Sequence, residues 1–156
     1  MSTDGGGSHE LREIAAGDGA AAWRAMLALR PGIGDAAAFS RHVDDVQRPE
    51  GYRLLGAFER SGTEAVAVAG FRVVNHLAWG RALYVDDLST LPEHRGRGHG
   101  GALLSWLIDE GTRLGCGQLH LDSGVGPERA DAHRLYLNHG LRIASHHFLR
   151  NLRSDS

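Results

Sequence analysis

The chain has 156 residues, 42% of them hydrophobic and 23% charged, with 17 basic against 19 acidic side chains. This composition is typical of one globular domain, and the net charge of −2 argues against a general nucleic-acid or anionic-membrane binder. No apolar run approaches the roughly 20 residues of a membrane span, and the first ten residues, MSTDGGGSHE, have neither the basic nor the apolar region of a secretory signal, so we expect none. Cys116 is the single cysteine, which excludes an intrachain disulfide and indicates a cytoplasmic protein.

The first 60 residues predict a strand and two helices. Residues 1–8 are small, polar and glycine-rich, so we expect disorder there, a single domain over 9–152 and a polar tail over 153–156. His9 to Ile14 reads as a strand. Apolar side chains on one face predict a helix over Gly19 to Arg30, and Asp35 is the expected N-cap of a second helix.

The middle of the chain changes to a period of two. Strands are predicted over Tyr52 to Glu59, Ala65 to Val74 and Arg81 to Leu91. Because the links between them are short, these three strands are expected to form an antiparallel meander.

The last third of the chain alternates helix and strand. The pattern predicts helices over Gly98 to Leu114 and Glu128 to His139, and strands over Gln118 to Ser123 and Arg142 to Leu152. A strand–helix–strand crossover makes the strands on either side of the first of these helices parallel. The sequence therefore predicts a mixed α/β sheet, antiparallel first and parallel later.

An arginine- and glycine-rich loop separates the third middle strand from the next helix. Its sequence, RGRGHGG, runs from Arg95 to Gly101. Glycine allows positive φ and close approach of the backbone, and a helix N-terminus offers free N–H groups and the positive end of a dipole. These features predict an anion site, most naturally for phosphate or pyrophosphate.

Two known phosphate motifs fit this loop poorly. A Walker loop requires a lysine, which is missing here. Gly96, Gly98 and Gly101 satisfy the dinucleotide pattern G-x-G-x-x-G, and Asp122 lies about 20 residues beyond. That pattern normally turns directly off a strand and opens a series of parallel units, whereas residues 92–95 and an antiparallel meander precede it here.

A third reading covers more of the chain. Arg95-x-x-Gly98-x-Gly100, before Ala-Leu-Leu, resembles motif A of the GNAT superfamily of acetyl-CoA-dependent N-acetyltransferases. The segment AHRLYLNHGL, from Ala132 to Leu141, is similar to that family's A-x-x-x-Y-x-x-x-G-F segment. The resemblance implies the GNAT fold, a mixed sheet of six or seven strands with about four helices, and acetyl-CoA as co-substrate without a metal.

The resemblance also implies where acetyl-CoA binds. Its pyrophosphate is expected on the N–H groups of the loop, and its pantetheine arm is expected to pair with the backbone of the preceding strand like an added strand. The amide near Leu88 is expected to stabilise the oxyanion. The cofactor-binding residues implied are Leu88, Ser89, Thr90, Arg95, Gly96, Arg97, Gly98, His99, Gly100 and Gly101.

Two catalytic residues are expected. Tyr136 matches the family's tyrosine, and a phenol of pKa about 10 suits protonation of a thiolate whose conjugate acid lies near about 8.5; His133 is the weaker alternative. The segment LYVDDL, from Leu83 to Leu88, resembles the corresponding stretch of the diamine acetyltransferase branch. The resemblance implies that Asp86 faces the substrate, where it would act as base, act through water or hold a cationic amine. Because Asp86 and Asp87 are consecutive on a strand, we expect their side chains to point to opposite faces.

No catalytic or metal-binding role is predicted for several other conspicuous residues. The adjacent His146 and His147 make a poor metal pair, and Cys116 has no obvious base beside it. Arg129 stands where many family members have a cofactor-contacting asparagine. The expected substrate is an amine of a small molecule or peptide, possibly cationic in view of the upstream acidic residues, while a homodimer and a non-catalytic acyl-CoA-binding module stay open.

Overall fold

The structure is a computed structural model that describes residues 9–60 and 62–153. The predicted disorder of residues 1–8 falls outside the described part of the chain, as does most of the polar tail. The chain divides into two compact units, the first ending at Leu121 and the second beginning at Asp122.

A five-stranded sheet organises the first unit. The strands follow one another in space in the order β1-β2-β3-β4-β5, antiparallel as far as β4 and parallel between β4 and β5. This confirms the predicted meander and the predicted parallel crossover. The elements are β1 (His9–Ile14), α1 (Trp23–Leu29), α2 (Ala36–His42), β2 (Arg53–Glu59), β3 (Ala67–His76), β4 (Gly80–Thr90), α3 (His99–Arg113) and β5 (Gln118–Leu121).

Each face of the sheet carries its own core. Successive side chains of a strand point to opposite faces, so Leu54 and Phe58 of β2 face α1 and α2, whereas Leu55 and Ala57 face α3. Met26 and Phe39 fill the first core. The second core includes Phe71, Leu83, Leu103 and Leu107.

The N-terminus of α2 is capped as the sequence predicts. The Asp35 carboxylate accepts a hydrogen bond from the Ala38 N–H at 2.8 Å, which satisfies one of the free donors at the helix start. After His42 the chain continues through one wider turn, Val43–Gln47, before Gly51 adopts a φ of 95° and releases it into β2. These turns place Gln47 close to the sheet.

A buried carboxylate ties α3 to the sheet. Glu110 is 7% exposed and accepts hydrogen bonds from Arg113 at 2.7 and 2.6 Å. Its carboxylate also lies 2.7 Å from Arg53 Nη1, and Arg53 bonds Glu13 of β1. Arg113 first and Arg53 next lower the pKa of Glu110 to about 2, against the opposing effect of burial.

The Glu110→Gln change is expected to destabilise the fold at neutral pH. Losing charge-assisted bonds to two arginines costs about 2 kcal/mol. Because the pKa of Glu110 is lowered from 4.5 to about 2, its contribution is complete above about pH 4.5 and is lost as the pH falls towards 2. Urea unfolding should therefore show a clear difference from wild type near neutral pH and a smaller one near pH 3. Asp109→Asn, on the exposed side of α3, is the control and should change stability little.

The second unit holds α4 (Ala130–Asn138), as predicted, but not the predicted final strand. Residues 142–152 form no strand in the described structure, and Ile143 and Phe148 are 83% and 91% exposed. A strand needs a neighbouring strand to accept its backbone hydrogen bonds, and this segment has no pairing partner in the sheet described. The expectation of six or seven strands is therefore wrong: the described residues form five strands, with four α-helices.

Candidate active site

Strand β4 extends beyond its parallel neighbour. The pairing of β4 with β5 runs from Ala82–Gln118 to Val85–Leu121, whereas β4 itself continues to Thr90 and stays paired with β3 on its other edge. Within the described sheet, the segment 86–90 therefore has one edge without a strand. Backbone N–H and C=O groups on such an edge can accept an extended ligand as an added strand.

A β-bulge in β4 lies directly after the last residue that pairs with β5. Gly70 pairs with Asp87 and Phe71 pairs with Val85, so Asp86 is the additional residue on β4. The bulge breaks the alternation of side chains, and both Asp86 and Asp87 line the same cavity. The expectation that these two side chains point to opposite faces is wrong, because regular alternation holds only in an unbroken ladder.

The cavity lined by Asp86 and Asp87 has a volume of about 500 Å³, and we refer to it as the acceptor cavity. Its apolar wall comes from α1, α2 and the links that follow them, and its polar end is formed by the two aspartates. The lining includes Met26, Arg30, Ile33, Phe39, His42, Val43, Gln47, Tyr52, Asp86 and Asp87. This volume lies within the range of small-molecule sites.

An arginine holds each carboxylate of the cavity. Arg72 donates to both oxygens of Asp86, at 3.1 and 2.8 Å, and also to Gln47 at 2.8 Å. Arg30 donates through Nε to Asp87 at 2.8 Å and through Nη2 to the Asp86 carbonyl at 2.9 Å. Burial raises the pKa of Asp86 above its ordinary value, although Arg72 opposes the shift.

Tyr52 completes the support of Asp87. Its buried hydroxyl donates to Asp87 Oδ2 at 2.8 Å. Burial, and then the charge of Asp87, raise the pKa of Tyr52, so the phenol stays a neutral donor. The ring lies against Gly70, where a Cβ atom would collide with the phenol. Because Gly70 has no side chain, the Tyr52 ring can lie over β3 and reach Asp87, the residue of β4 that pairs with Gly70.

The arginine–glycine loop has the predicted backbone geometry. Gly96 and Gly98 have φ values of 79° and 85°, and Gly98 is the N-cap of α3. A Cβ atom added to either glycine would meet no protein atom within 4 Å. The first turn of α3 carries no acidic side chain, and its leading N–H groups lack the intrahelical partners of later turns. The loop therefore offers open space and donors to an anion.

Two side chains of the loop take directions that the sequence did not predict. His99 is only 2% exposed, with its Nε2 atom 3.6 Å from Glu59, so its imidazole is turned into the protein rather than towards a phosphate. Arg97 donates to Glu59 at 3.1 Å but is 55% exposed and can leave this contact. The role that remains for His99 at an anion site is that of its backbone N–H.

In the second unit, Tyr136 is buried and has an arginine beside it. Arg129 Nη2 lies 3.4 Å from the Tyr136 hydroxyl, and Arg129 Nε lies 3.4 Å from Ser123 Oγ. Burial raises the pKa of Tyr136 from 10.0, and the Arg129 charge opposes that shift. This pair was not predicted from the sequence, although its seven-residue spacing is one that places two side chains on the same face of a helix.

His133 is engaged elsewhere in the second unit. Its Nε2 lies 2.9 Å from the Gly124 carbonyl and 3.1 Å from Ser123 Oγ. A carbonyl only accepts, so Nε2 carries the hydrogen and donates it to the loop before α4. This contact leaves Tyr136 as the better candidate for proton transfer.

Trp23, His76 and Trp79 lie outside the acceptor cavity. Trp79 stacks between His76 and His120, with ring centroids 4.3 and 3.6 Å apart, and Trp23 donates its indole N–H to Gly34 at 2.9 Å. None of them is among the residues that line the described cavity. The contacts of these side chains support a packing role.

Comparison with known proteins decides the family. Residues 21–141 match the sequence profile of the Acetyltransferase (GNAT) family. The chain belongs to the GNAT acetyltransferases. Among curated GNAT relatives, the uncharacterized N-acetyltransferase YhdJ of Bacillus subtilis (strain 168) is 31% identical over 73% of this chain and 78% of its own length. The streptothricin acetyltransferase of Streptomyces lavendulae is 36% identical over 35% of this chain and 29% of its own length.

Solved structures show the same GNAT fold. An aminoglycoside N-acetyltransferase in complex with CoA superimposes with a TM-score of 0.72 at 18% identity, covering 93% of this chain and 95% of its own. This likeness concerns the fold alone. None of the helices within residues 9–60 and 62–153 has both the length and the apolar character that crossing a membrane requires.

Proposed function

We propose that this GNAT acetyltransferase moves the acetyl group of acetyl-CoA directly to an amine of a small molecule or peptide. The observation that carries the proposal is the continuous path along β4. The strand runs from the two cavity aspartates, along the open edge 86–90, to a glycine loop at the N-terminus of α3. At about 3.3 Å per residue, Asp86 and Thr90 lie roughly 13 Å apart, a span that an extended thioester arm can follow.

The residues of the loop and the strand edge fit coenzyme A. Gly96 and Gly98 leave open space where other residues would carry a side chain, which lets backbone N–H groups approach a pyrophosphate. Arg95 and Arg97 are exposed and supply positive charge. Leu88, Ser89 and Thr90 offer the strand edge to the pantetheine amides. When bound there, acetyl-CoA would supply the activated acetyl group.

The acceptor cavity suits the amine. Its apolar wall would hold the body of the substrate, while Asp86 and Asp87 accept hydrogen bonds from the amino group. Because Arg72 and Arg30 offset both negative charges, these carboxylates would act as hydrogen-bond acceptors more than as a strong negative field. An amine is the substrate class that we favour, since carboxylate acceptors distinguish an amino group from a neutral apolar group.

Direct transfer forms the bond between the amine nitrogen and the acetyl carbon and breaks the thioester C–S bond. The backbone amide near Leu88 would donate to the developing oxyanion. Asp86, directly or through a water, would take the proton that the nitrogen loses, and Tyr136 would return a proton to the departing thiolate. No covalent enzyme intermediate is required.

The Asp86→Asn change should lower kcat/KM for the amine by about 10-fold or more, since general-base assistance contributes at least that much. Asparagine keeps one acceptor for Arg72 but cannot take a proton. As burial raises the pKa of Asp86, the wild-type enzyme should lose activity as the pH falls through that raised value, and the variant should lack this acidic limb. Steady-state kinetics against pH measure both effects.

Asp45→Asn is the matched control, because Asp45 is exposed beside α2 and does not line the cavity. It should leave both kcat/KM and the pH profile as in wild type. An unchanged acidic limb in Asp86→Asn would remove Asp86 from the role of base.

Release of the CoA thiol in the presence of a panel of amines tests the function as a whole. Binding of acetyl-CoA together with amine-dependent thiol release supports the acetyltransferase. Binding of acetyl-CoA without release on any amine would favour the alternative, a GNAT-fold module that binds acyl-CoA without turnover.

A further inference from the structure

Three side chains of types that bind metal ions, two from the segment around the glycine loop and one from a distant strand, meet beneath that loop. They are Glu59 at the end of β2, His94 in the turn after β4, and His99 at the start of α3. Glu59 Oε2 lies 3.2 Å from His94 Nδ1 and 3.6 Å from His99 Nε2. One donor atom from each residue lies within 4.8 Å of those of the other two. The sequence predicted no metal, since its one adjacent histidine pair, His146 and His147, is poorly placed to share an ion.

These distances are close to those of a coordinated metal. Two ligand atoms bonded at about 2.1 Å to one tetrahedral ion lie roughly 3.4 Å apart. The two edges that include Glu59 already have this length. The edge between the histidines is at most 4.8 Å long, and the partly exposed His94 ring can shorten it by rotating.

The chemistry of the donors selects the class of ion. Two imidazoles and one carboxylate suit zinc and its divalent transition-metal neighbours, whereas magnesium and calcium prefer oxygen ligands. The buried His99 forms the fixed inner side of the cluster, and Glu59 and His94 leave an approach from solvent.

A guanidinium already contacts part of this cluster. Arg97 Nη1 lies 3.1 Å from Glu59 Oε2 and 3.2 Å from His94 Nδ1. A metal ion would have to displace it, which the 55% exposure of Arg97 allows. The positive end of the α3 dipole also opposes a cation, so the expected affinity is moderate, about micromolar.

We propose that Glu59, His94 and His99 form a binding site for one divalent transition-metal ion of the zinc class. The site does not depend on acetyl transfer, because none of the three side chains serves the proposed reaction. It would couple to the loop through Arg97, which a bound ion releases from Glu59. A protein that binds no metal could therefore still be an acetyltransferase, and a protein that acetylates no amine could still bind the metal.

Metal binding to the untagged protein tests the site. Titration with Zn²⁺ against a chromophoric chelator should show one saturable site, and Co²⁺ should give the visible ligand-field spectrum of a low-coordinate nitrogen and oxygen site. Changes to residues that surround the ligands of a metal cost about 10- to 100-fold in affinity. Glu59→Gln and His94→Ala remove ligands themselves, so each should weaken binding by at least that factor. Both residues are partly exposed, so these variants should fold.

His146→Ala is the control for exposed histidines and should bind as wild type does. A matched pair of arginine variants tests the position of the ion. Arg97→Ala removes the competing contact and should tighten binding about fivefold, whereas Arg95→Ala removes a charge of the same loop that does not contact Glu59 and should have a smaller effect. Binding that is absent, that survives in Glu59→Gln and His94→Ala, or that is weakened by Arg97→Ala would overturn the proposal.

Discussion

Replacing Tyr136 by phenylalanine is expected to lower kcat by about 100-fold or more, because the departing CoA thiolate loses its proton donor. The change removes one oxygen from a buried side chain, so the helix packing is retained. The KM for acetyl-CoA should change little, since the phenol acts on the leaving group and not on binding. Steady-state kinetics with a substrate found in the amine panel measure both parameters.

The pH profile separates this role from a structural one. Burial raises the pKa of Tyr136 above its ordinary 10.0, so the phenol should keep its proton, and the enzyme its activity, through the neutral and mildly alkaline range. Tyr84→Phe makes the same chemical change at a half-buried tyrosine of β4 and is the control. If Tyr136→Phe turns over as fast as Tyr84→Phe, another group protonates the thiolate.

The Gly98→Val change is expected to weaken CoA binding by about 100-fold or more. A side chain at Gly98 enters the open space above the loop, where we place the pyrophosphate, and it also disfavours the φ of 85° that orients the loop. Losing one or two charge-assisted hydrogen bonds accounts for a change of this size. Isothermal titration calorimetry with CoA measures it.

Gly115→Val separates the ligand effect from backbone strain. Gly115 ends α3 with a φ of 77°, and a Cβ atom there also meets no protein atom within 4 Å. Both variants should therefore lose a similar stability, about 1–2 kcal/mol, while only Gly98→Val loses CoA. Equal CoA affinity in the two variants would contradict the assignment of the loop.

The fold of the first unit could be predicted from the sequence because its signals are local. Apolar periodicity indicated the helices and strands, and Asp35 and the glycines indicated where helices begin and end. The final strand at 142–152 could not be judged in the same way. A β-prone stretch becomes a strand only beside a partner, and the described sheet ends at β5.

The candidate site was predictable in its backbone parts and less so in its side-chain contacts. The glycine loop follows from residue types alone. The pairing of Asp86 with Arg72 depends on a one-residue bulge, which shifts side chains to another face without any mark in the sequence. The cluster of Glu59, His94 and His99 depends on the ends of β2 and β4 and the start of α3, which meet only in the folded protein.

A single-turnover experiment with acetyl-labelled acetyl-CoA tests the central claim most directly. The protein is mixed with the labelled compound in the presence and absence of an amine, and the label is followed by mass spectrometry. Direct transfer predicts that the label moves to the amine only when the amine is present and never becomes attached to the protein. A labelled protein intermediate, or bound acetyl-CoA that transfers to no amine, would contradict the account.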